Sequence, residues 1–255
     1  MVRNTHRLFS TVDKKEVEKF NKTKDWWNPN GSMKPLHAYN RKRVDFLRKL
    51  LLSKNTVTEP YFFLENKSVL DVGCGGGLLV ESMAAFGGKV IGVDANPNSI
   101  EMAEDHLKRY SPHLLPSIQY IHTSLEDHQK QSSDKFDLVT SMEVIEHVSD
   151  TNTFIASLAQ ATKENGFVVL SSLNKGVLSY LFNIVGAEYL LRLLPIGTHD
   201  YDKFITPQEI TDIALRNNLE LIKLDYNMYD PLTNEFYRDT IFETNYLIAF
   251  RKKAE

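Results

Sequence analysis

Cysteine is nearly missing from this chain. Cys74 is the single one among 255 residues, which excludes an intramolecular disulfide framework and suits a reducing compartment such as cytosol or matrix. An excess of either charge is missing too: Lys and Arg total 30 against 33 Asp and Glu, a net charge of −3, without the broad positive footprint of a nucleic-acid binder. No stretch reaches the roughly 18 uninterrupted apolar residues of a membrane-spanning helix, which excludes an integral helical membrane protein but not one lying on a membrane surface. Internal repeats and low-complexity segments are also lacking. What is present is ordinary globular usage, 42 % apolar and 25 % charged, in a length at the upper end of what one core serves. One large domain with additions is predicted.

The first residues carry Arg3, His6 and Arg7 with no acid before Asp13, a composition of organelle transit peptides, so residues 1–12 are expected to be a mitochondrial targeting segment. Arg7-Leu8-Phe9-Ser10 resembles a matrix-processing site. From Lys67 onward, short β-rich runs alternate with helical patterns, the order that builds a parallel sheet covered by helices, an α/β fold. Strands are predicted at Ser68–Val72, Lys89–Asp94, Ile118–His122, Phe136–Ser141 and Phe167–Ser171, with helices near Leu78–Phe86, Ser99–Tyr110 and Thr153–Lys163. A helix near Pro207–Asn217 then precedes strands Glu220–Asp225 and Tyr246–Arg251, whose closeness in sequence predicts an antiparallel pair closing a seven-stranded sheet. The organisation expected is lid helices in 13–64, a core in 65–172, an insertion in 174–205 and sheet completion in 206–255.

The run Asp71-Val72-Gly73-Cys74-Gly75-Gly76-Gly77 follows a strand and opens a helix. Glycines there let the backbone turn sharply and approach a ligand closely. Asp94 stands at the C-terminal edge of the next strand, where a carboxylate can accept both hydroxyls of a ribose. The spacing is G-x-G-x-G, not the dinucleotide G-x-G-x-x-G. Asp71 would repel a pyrophosphate but attract a cationic amino-acid group. Ribose, adenine and a cationic amino-acid tail together describe S-adenosylmethionine. On these residues the chain resembles the Rossmann-like class I S-adenosylmethionine-dependent methyltransferases over about residues 65 to 172. Cys74 reads as loop packing rather than a nucleophile.

Met142-Glu143-Val144-Ile145-Glu146-His147 follows the fourth strand. On a helical turn Glu143, Glu146 and His147 stand at i, i+3 and i+4 and face one direction. Two carboxylates and an imidazole so placed suit a divalent metal, Mg²⁺ first and Zn²⁺ or Mn²⁺ next. A metal-free site with His147 as general base is a second reading, and a surface Glu with a capping His a third. Met142 lines the cofactor pocket or packs in the core.

Upstream lie Asp25-Trp26-Trp27-Asn28-Pro29 through Lys34-Pro35-Leu36-His37 and Arg41-Lys42-Arg43, and downstream Gly197-Thr198-His199-Asp200-Tyr201-Asp202-Lys203-Phe204. With the Glu143–His147 motif these segments resemble the ubiquinone-biosynthesis O-methyltransferases. That resemblance implies methylation of catechol hydroxyls on polyprenylated benzoate and benzoquinol intermediates. It places Arg43, Gly73, Asp94 and Met142 around S-adenosylmethionine, with Asp71 and Gly75 beside them, and Glu143, Glu146 and His147 around Mg²⁺, with His147 and Glu143 catalytic. It also implies a peripheral position on the matrix face of the mitochondrial inner membrane, within a multi-enzyme complex and without a nucleic-acid partner. Arg43 can be argued physically as a bidentate clamp on the methionine carboxylate. Trp26 and Trp27 read as lid, substrate contacts or packing, and His37 and His199 as proton carriers or plain structure.

Leu178, Leu181, Phe182, Val185, Tyr189 and Leu193 share one helical face in Gly176–Pro195, which rests in a membrane interface or packs on the sheet. Two rival functions stand beside the main one. A small-RNA terminal ribose methyltransferase shares a Glu-x-x-Glu-His metal site but needs a basic RNA path. A non-catalytic cofactor-binding scaffold has no need of the acidic cluster.

Overall fold

The structure, a computed structural model, describes residues 10–20, 25–31, 33–52, 61–175 and 203–254. The targeting segment up to residue 9, the amphipathic insertion and His199 lie outside the described residues.

Two helices, α1 (Lys14–Phe20) and α2 (Lys34–Leu52), precede the sheet. There follow β1 (Ser68–Val72), α3 (Leu78–Ala85), β2 (Lys89–Asp94), α4 (Pro97–Tyr110), β3 (Ile118–His122), α5 (Leu125–Gln131), β4 (Phe136–Met142), α6 (Thr151–Ala161) and β5 (Thr162–Leu173). Beyond the insertion come α7 (Pro207–Arg216), β6 (Leu219–Asp230), β7 (Glu235–Arg238) and β8 (Asn245–Lys252). These strands form one eight-stranded sheet in the order β3-β2-β1-β4-β5-β8-β6-β7.

The first five strands are parallel, and β8 runs antiparallel between β5 and β6. The expected antiparallel pair is therefore present. The expected count of seven strands is corrected by β7, a four-residue hairpin strand that pairs antiparallel with β6. Four residues with polar ends carry too little alternation to be read as a strand.

Val168 and Val169 of β5 are both fully buried, one on each face of the sheet. Successive side chains point to opposite faces, so a strand buried on both sides needs a continuous apolar run. Helix α2 covers one face with Phe46, Leu47, Leu50 and Leu51, while α6 and α7 cover the other with Ile155, Leu158, Ile210 and Ala214. Asn96 caps α4, its side chain accepting from the Asn98 amide with Pro97 in the first turn, and a capping box joins Thr206 and Glu209 at α7.

Strand order reverses between β1 and β4, which open outward to β2-β3 on one side and β5 on the other. In an open α/β sheet a ligand crevice forms outside the carboxyl ends of the strands at that reversal. Among the described residues no helix is long and apolar enough to cross a membrane.

Candidate active site

A cavity of about 350 Å³ opens at the strand reversal, lined by the glycine loop, the ends of β2 and β4, the start of α5, α2 and the N-terminal strap. The loop is drawn to β2 by the Gly73 and Cys74 amides, which both donate to the Val93 carbonyl at 2.8 and 3.1 Å. Gly75 has φ +54, and a Cβ there would lie 2.6 Å from the Trp26 ring, so backbone handedness and close approach both demand glycine. Its amide donates to Asp94 Oδ2 at 2.8 Å, and the Asn96 amide donates to Oδ1 at 2.7 Å. Each Asp94 oxygen keeps acceptor capacity for a ribose hydroxyl.

Asp71 lies buried beneath the loop, accepting from Thr140 Oγ1 at 2.6 Å. Burial pushes its pKa up to about 7, opposed by the Thr140 hydrogen bond and by Arg43. A cationic ligand group would bring the carboxylate back to its charged form. Arg43 is also buried, and its Nε and Nη2 have no hydrogen-bond partner among the described residues. The guanidinium lies over the Tyr39 ring at 4.7 Å, with Nη2 3.8 Å from Glu143 Oε1. A buried cation with unmet donors is costly, and a ligand carboxylate would satisfy them. Met142 ends β4, only 8 % exposed, and lines the same cavity. The chemistry of these groups fits S-adenosylmethionine: an anion site at Arg43, a cation site at Asp71 and a diol site at Asp94.

The acidic cluster lines the same cavity but is built differently from the expectation. Glu143 leaves β4 in the left-handed region, at φ +57, its amide donating to the Ser171 carbonyl at 3.1 Å. Only then does a short 3-10 turn, Ile145–His147, begin. The three residues therefore do not share the face of one helical turn, because the left-handed residue resets the chain direction before the turn starts. Each is engaged separately. Glu143 Oε1 accepts from Ser171 Oγ at 2.6 Å and Glu146 Oε2 from Ser172 Oγ at 3.0 Å. His147 Nδ1 donates to Glu16 Oε2 at 2.9 Å. Burial first, then the charge of Glu143, raises the Glu146 carboxyl well above the usual range. The donor types suit a hard divalent ion, but among the described residues no three His, Cys, Asp or Glu are grouped so that they could hold a metal.

The paired tryptophans, read as lid, substrate contacts or packing, pack on the glycine loop. Trp26 covers Gly75 and Gly76, and Trp27 Nε1 donates to the Gly76 carbonyl at 2.8 Å. Trp27 stacks on His106 with ring centroids 3.4 Å apart and planes within 2°, and Glu81 holds His106 Nδ1 at 2.8 Å. His37 Nε2 donates to the Trp26 carbonyl at 2.9 Å, a structural role rather than that of a proton carrier. Cys74 is buried and its thiol pushed well up by burial, as befits loop packing.

Sequence reasoning missed Glu16. It sits in Lys-Lys-Glu-Val-Glu-Lys, a stretch that reads as a solvated face, and its partner His147 is 131 positions away. Lys203, quoted above only as part of a motif, donates to Glu16 Oε1 at 2.8 Å.

Residues 37–224 match the model of a methyltransferase domain. The chain is 40% identical over 244 residues to a ubiquinone biosynthesis O-methyltransferase of Pelagibacter ubique (strain HTCC1062), covering 95% of this chain and 99% of that relative. Among solved structures it is similar to the N-methyltransferase NodS from Bradyrhizobium japonicum WM9 in complex with S-adenosyl-L-homocysteine, at TM-score 0.60 and 18% identity over 94% of this chain and 98% of that one. Magnesium protoporphyrin IX methyltransferase from Synechocystis PCC 6803, with bound S-adenosylmethionine, gives TM-score 0.60 and 17% identity over 93% and 95% of the two chains. At such identities the two structures speak for the fold alone.

Proposed function

The chain belongs to the ubiquinone biosynthesis O-methyltransferases, S-adenosylmethionine-dependent enzymes, and from that premise we propose that it methylates catechol hydroxyls of polyprenylated dihydroxybenzoate and demethylubiquinol intermediates. One observation carries the reading: buried Arg43, two of whose donors have no hydrogen-bond partner among the described residues, lines the same cavity as Asp71, Asp94, Glu143, Glu146 and His147. A cofactor site and a proton-accepting site thus share one chamber.

When bound, S-adenosylmethionine supplies a methyl group on a sulfonium, already activated for transfer to an oxygen nucleophile. The chain's task is to orient a catechol hydroxyl and remove its proton as the oxygen–carbon bond forms. Arg43, Asp71 and Asp94 would hold the carboxylate, ammonium and ribose, with Gly73, Gly75 and Met142 shaping the pocket around them. His147 accepts the hydroxyl proton, and Glu143, held by Ser171 in the same cavity lining, adds negative charge beside the acceptor.

The resemblance further implies Mg²⁺ at Glu143, Glu146 and His147, where an ion would lower the hydroxyl pKa. Their described arrangement does not gather three donors, so no step is assigned to it. The proposal extends to a peripheral place on the matrix face of the mitochondrial inner membrane, in a multi-enzyme complex. The basic N-terminal stretch and the lipid tail of the substrate support it. Liposome flotation unaffected by Leu181→Glu with Phe182→Glu would count against the insertion as the membrane contact.

Methyl transfer to a short-chain prenylated dihydroxybenzoate tests the function. Transfer to an oligoribonucleotide 3′ end instead would replace the reading with the RNA one.

A further inference from the structure

We propose that Glu16, on the N-terminal strap, is a positioning residue for the methyl transfer, holding the His147 ring in the cavity wall through its Nδ1; this rests on the function proposed above. Glu16 is the far member of a chain of polar contacts that crosses three distant parts of the sequence. Its side chain is 8 % exposed, with Oε2 2.9 Å from His147 Nδ1 and Oε1 2.8 Å from Lys203 Nζ. Asp13 adds a second carboxylate 3.5 Å from the same ammonium. A carboxylate buried this deeply is costly unless both oxygens are engaged, and here one faces a cation and the other a ring N–H.

The strap carrying Glu16 is itself fastened next to His147. Val12 forms an antiparallel bridge with Val148, and the Ser149 amide donates to the Thr11 carbonyl at 2.9 Å. Thr11 Oγ1 donates to the buried Glu126 at 2.8 Å. Position along the strap is therefore fixed on both sides of the site, and α1 delivers Glu16 to one nitrogen of one ring.

The chemical consequence follows from what a carboxylate can do. It only accepts, so the nitrogen facing it must carry the hydrogen, and in the neutral imidazole the lone pair then resides on Nε2. Glu16 sets both the plane of the ring and which nitrogen is basic. Partners that orient metal-ligating histidines typically matter by 10–100-fold, and the same scale is taken for a histidine base oriented in this way.

The test combines steady-state kinetics, cofactor titration and ring-nitrogen NMR on the wild type, Glu16→Ala and Glu16→Gln. In Glu16→Ala we expect kcat to fall roughly 10–100-fold, with acceptor KM and S-adenosylmethionine Kd within about twofold of wild type. Glu16→Gln keeps an acceptor oxygen and should recover part of the loss. In ¹⁵N spectra, wild-type His147 should show a protonated Nδ1, and Glu16→Ala a mixture of tautomers. A wild-type His147 protonated at Nε2 alone overturns the proposal, as does a Glu16→Ala variant with lowered melting temperature but unchanged kcat. Should Glu16→Ala fail to fold, the wild-type and Glu16→Gln spectra still decide. A wild type that methylates no catechol sinks the functional reading while the spectra continue to judge the Glu16–His147 pairing separately.

Discussion

Thr140 Oγ1 donates to Asp71 Oδ1 at 2.6 Å, across the register pair that joins β4 to β1. That single hydrogen bond is set against full burial, and burial wins: the Asp71 pKa rises to about 7. The folded protein therefore keeps a proton that the unfolded chain, titrating near 3.8, has released. Stability from this group is present below pH 4 and is lost as pH rises toward 7, by on the order of 4 kcal/mol at most. Glu146, also raised by burial, acts with the same sign. Thermal melts of the cofactor-free protein should decline between pH 5 and 8, and Asp71→Asn should flatten part of that slope. A slope untouched by this substitution would remove Asp71 from the account.

Cofactor binding should expose the same proton. An ammonium beside Asp71 favours the carboxylate, so binding near pH 6.5 is expected to release a proton. Calorimetry in buffers of differing ionisation enthalpy measures this directly. Asp71→Asn should bind S-adenosylmethionine about tenfold or more weakly and release none.

Arg43→Lys is not a mild change here. Lysine keeps the charge but loses the fork of donors, and a charge-assisted bidentate pair is worth about 1.5–3 kcal/mol. We expect cofactor affinity to fall roughly 10–100-fold by the same conversion, with little change in melting temperature. Affinity within twofold of wild type would separate Arg43 from the carboxylate.

Gly75→Ala meets two obstacles, the Trp26 ring and a φ of +54. Removing the ring in Trp26→Ala relieves only the first. The double variant should therefore be better than the sum of the single losses but below Trp26→Ala alone, in both melting temperature and cofactor affinity. Strict additivity would mean that ring and loop do not meet.

Metal removal bears on the part of the proposal drawn from the resemblance. If the ion implied by the resemblance takes part, chelator-treated protein loses methyl transfer and regains it with Mg²⁺ at unchanged cofactor affinity, whereas the His147-base step, which needs no gathered metal donors, survives chelation. Full transfer after exhaustive chelation would take the ion out of the reaction.

Much of this architecture is legible in the amino-acid sequence. The bounds of β1, β2 and β3 match the expectation because apolar runs such as Val90-Ile91-Gly92-Val93 end on a turn or a ligand-facing acid. Local pattern failed where the deciding interaction was distant. Nothing in Glu143 announces a left-handed backbone, since glutamate seldom adopts it. Nothing near Glu16 announces a histidine 131 positions later. The cofactor side of the cavity was readable because loop, acid and helix are neighbours in sequence. Glu143, Glu146 and His147 were also readable as a motif, but Glu16 and the part of Lys203 were not, because strap, β4 and Lys203 meet only in the folded chain.

Both tryptophans of the chain, Trp26 and Trp27, sit on the glycine loop. Intrinsic indole emission therefore originates wholly from the mouth of the cofactor site. The protein carries its own optical gauge of occupancy there, readable without a label, and Trp27, stacked on His106, can be told from Trp26 by single substitution to phenylalanine.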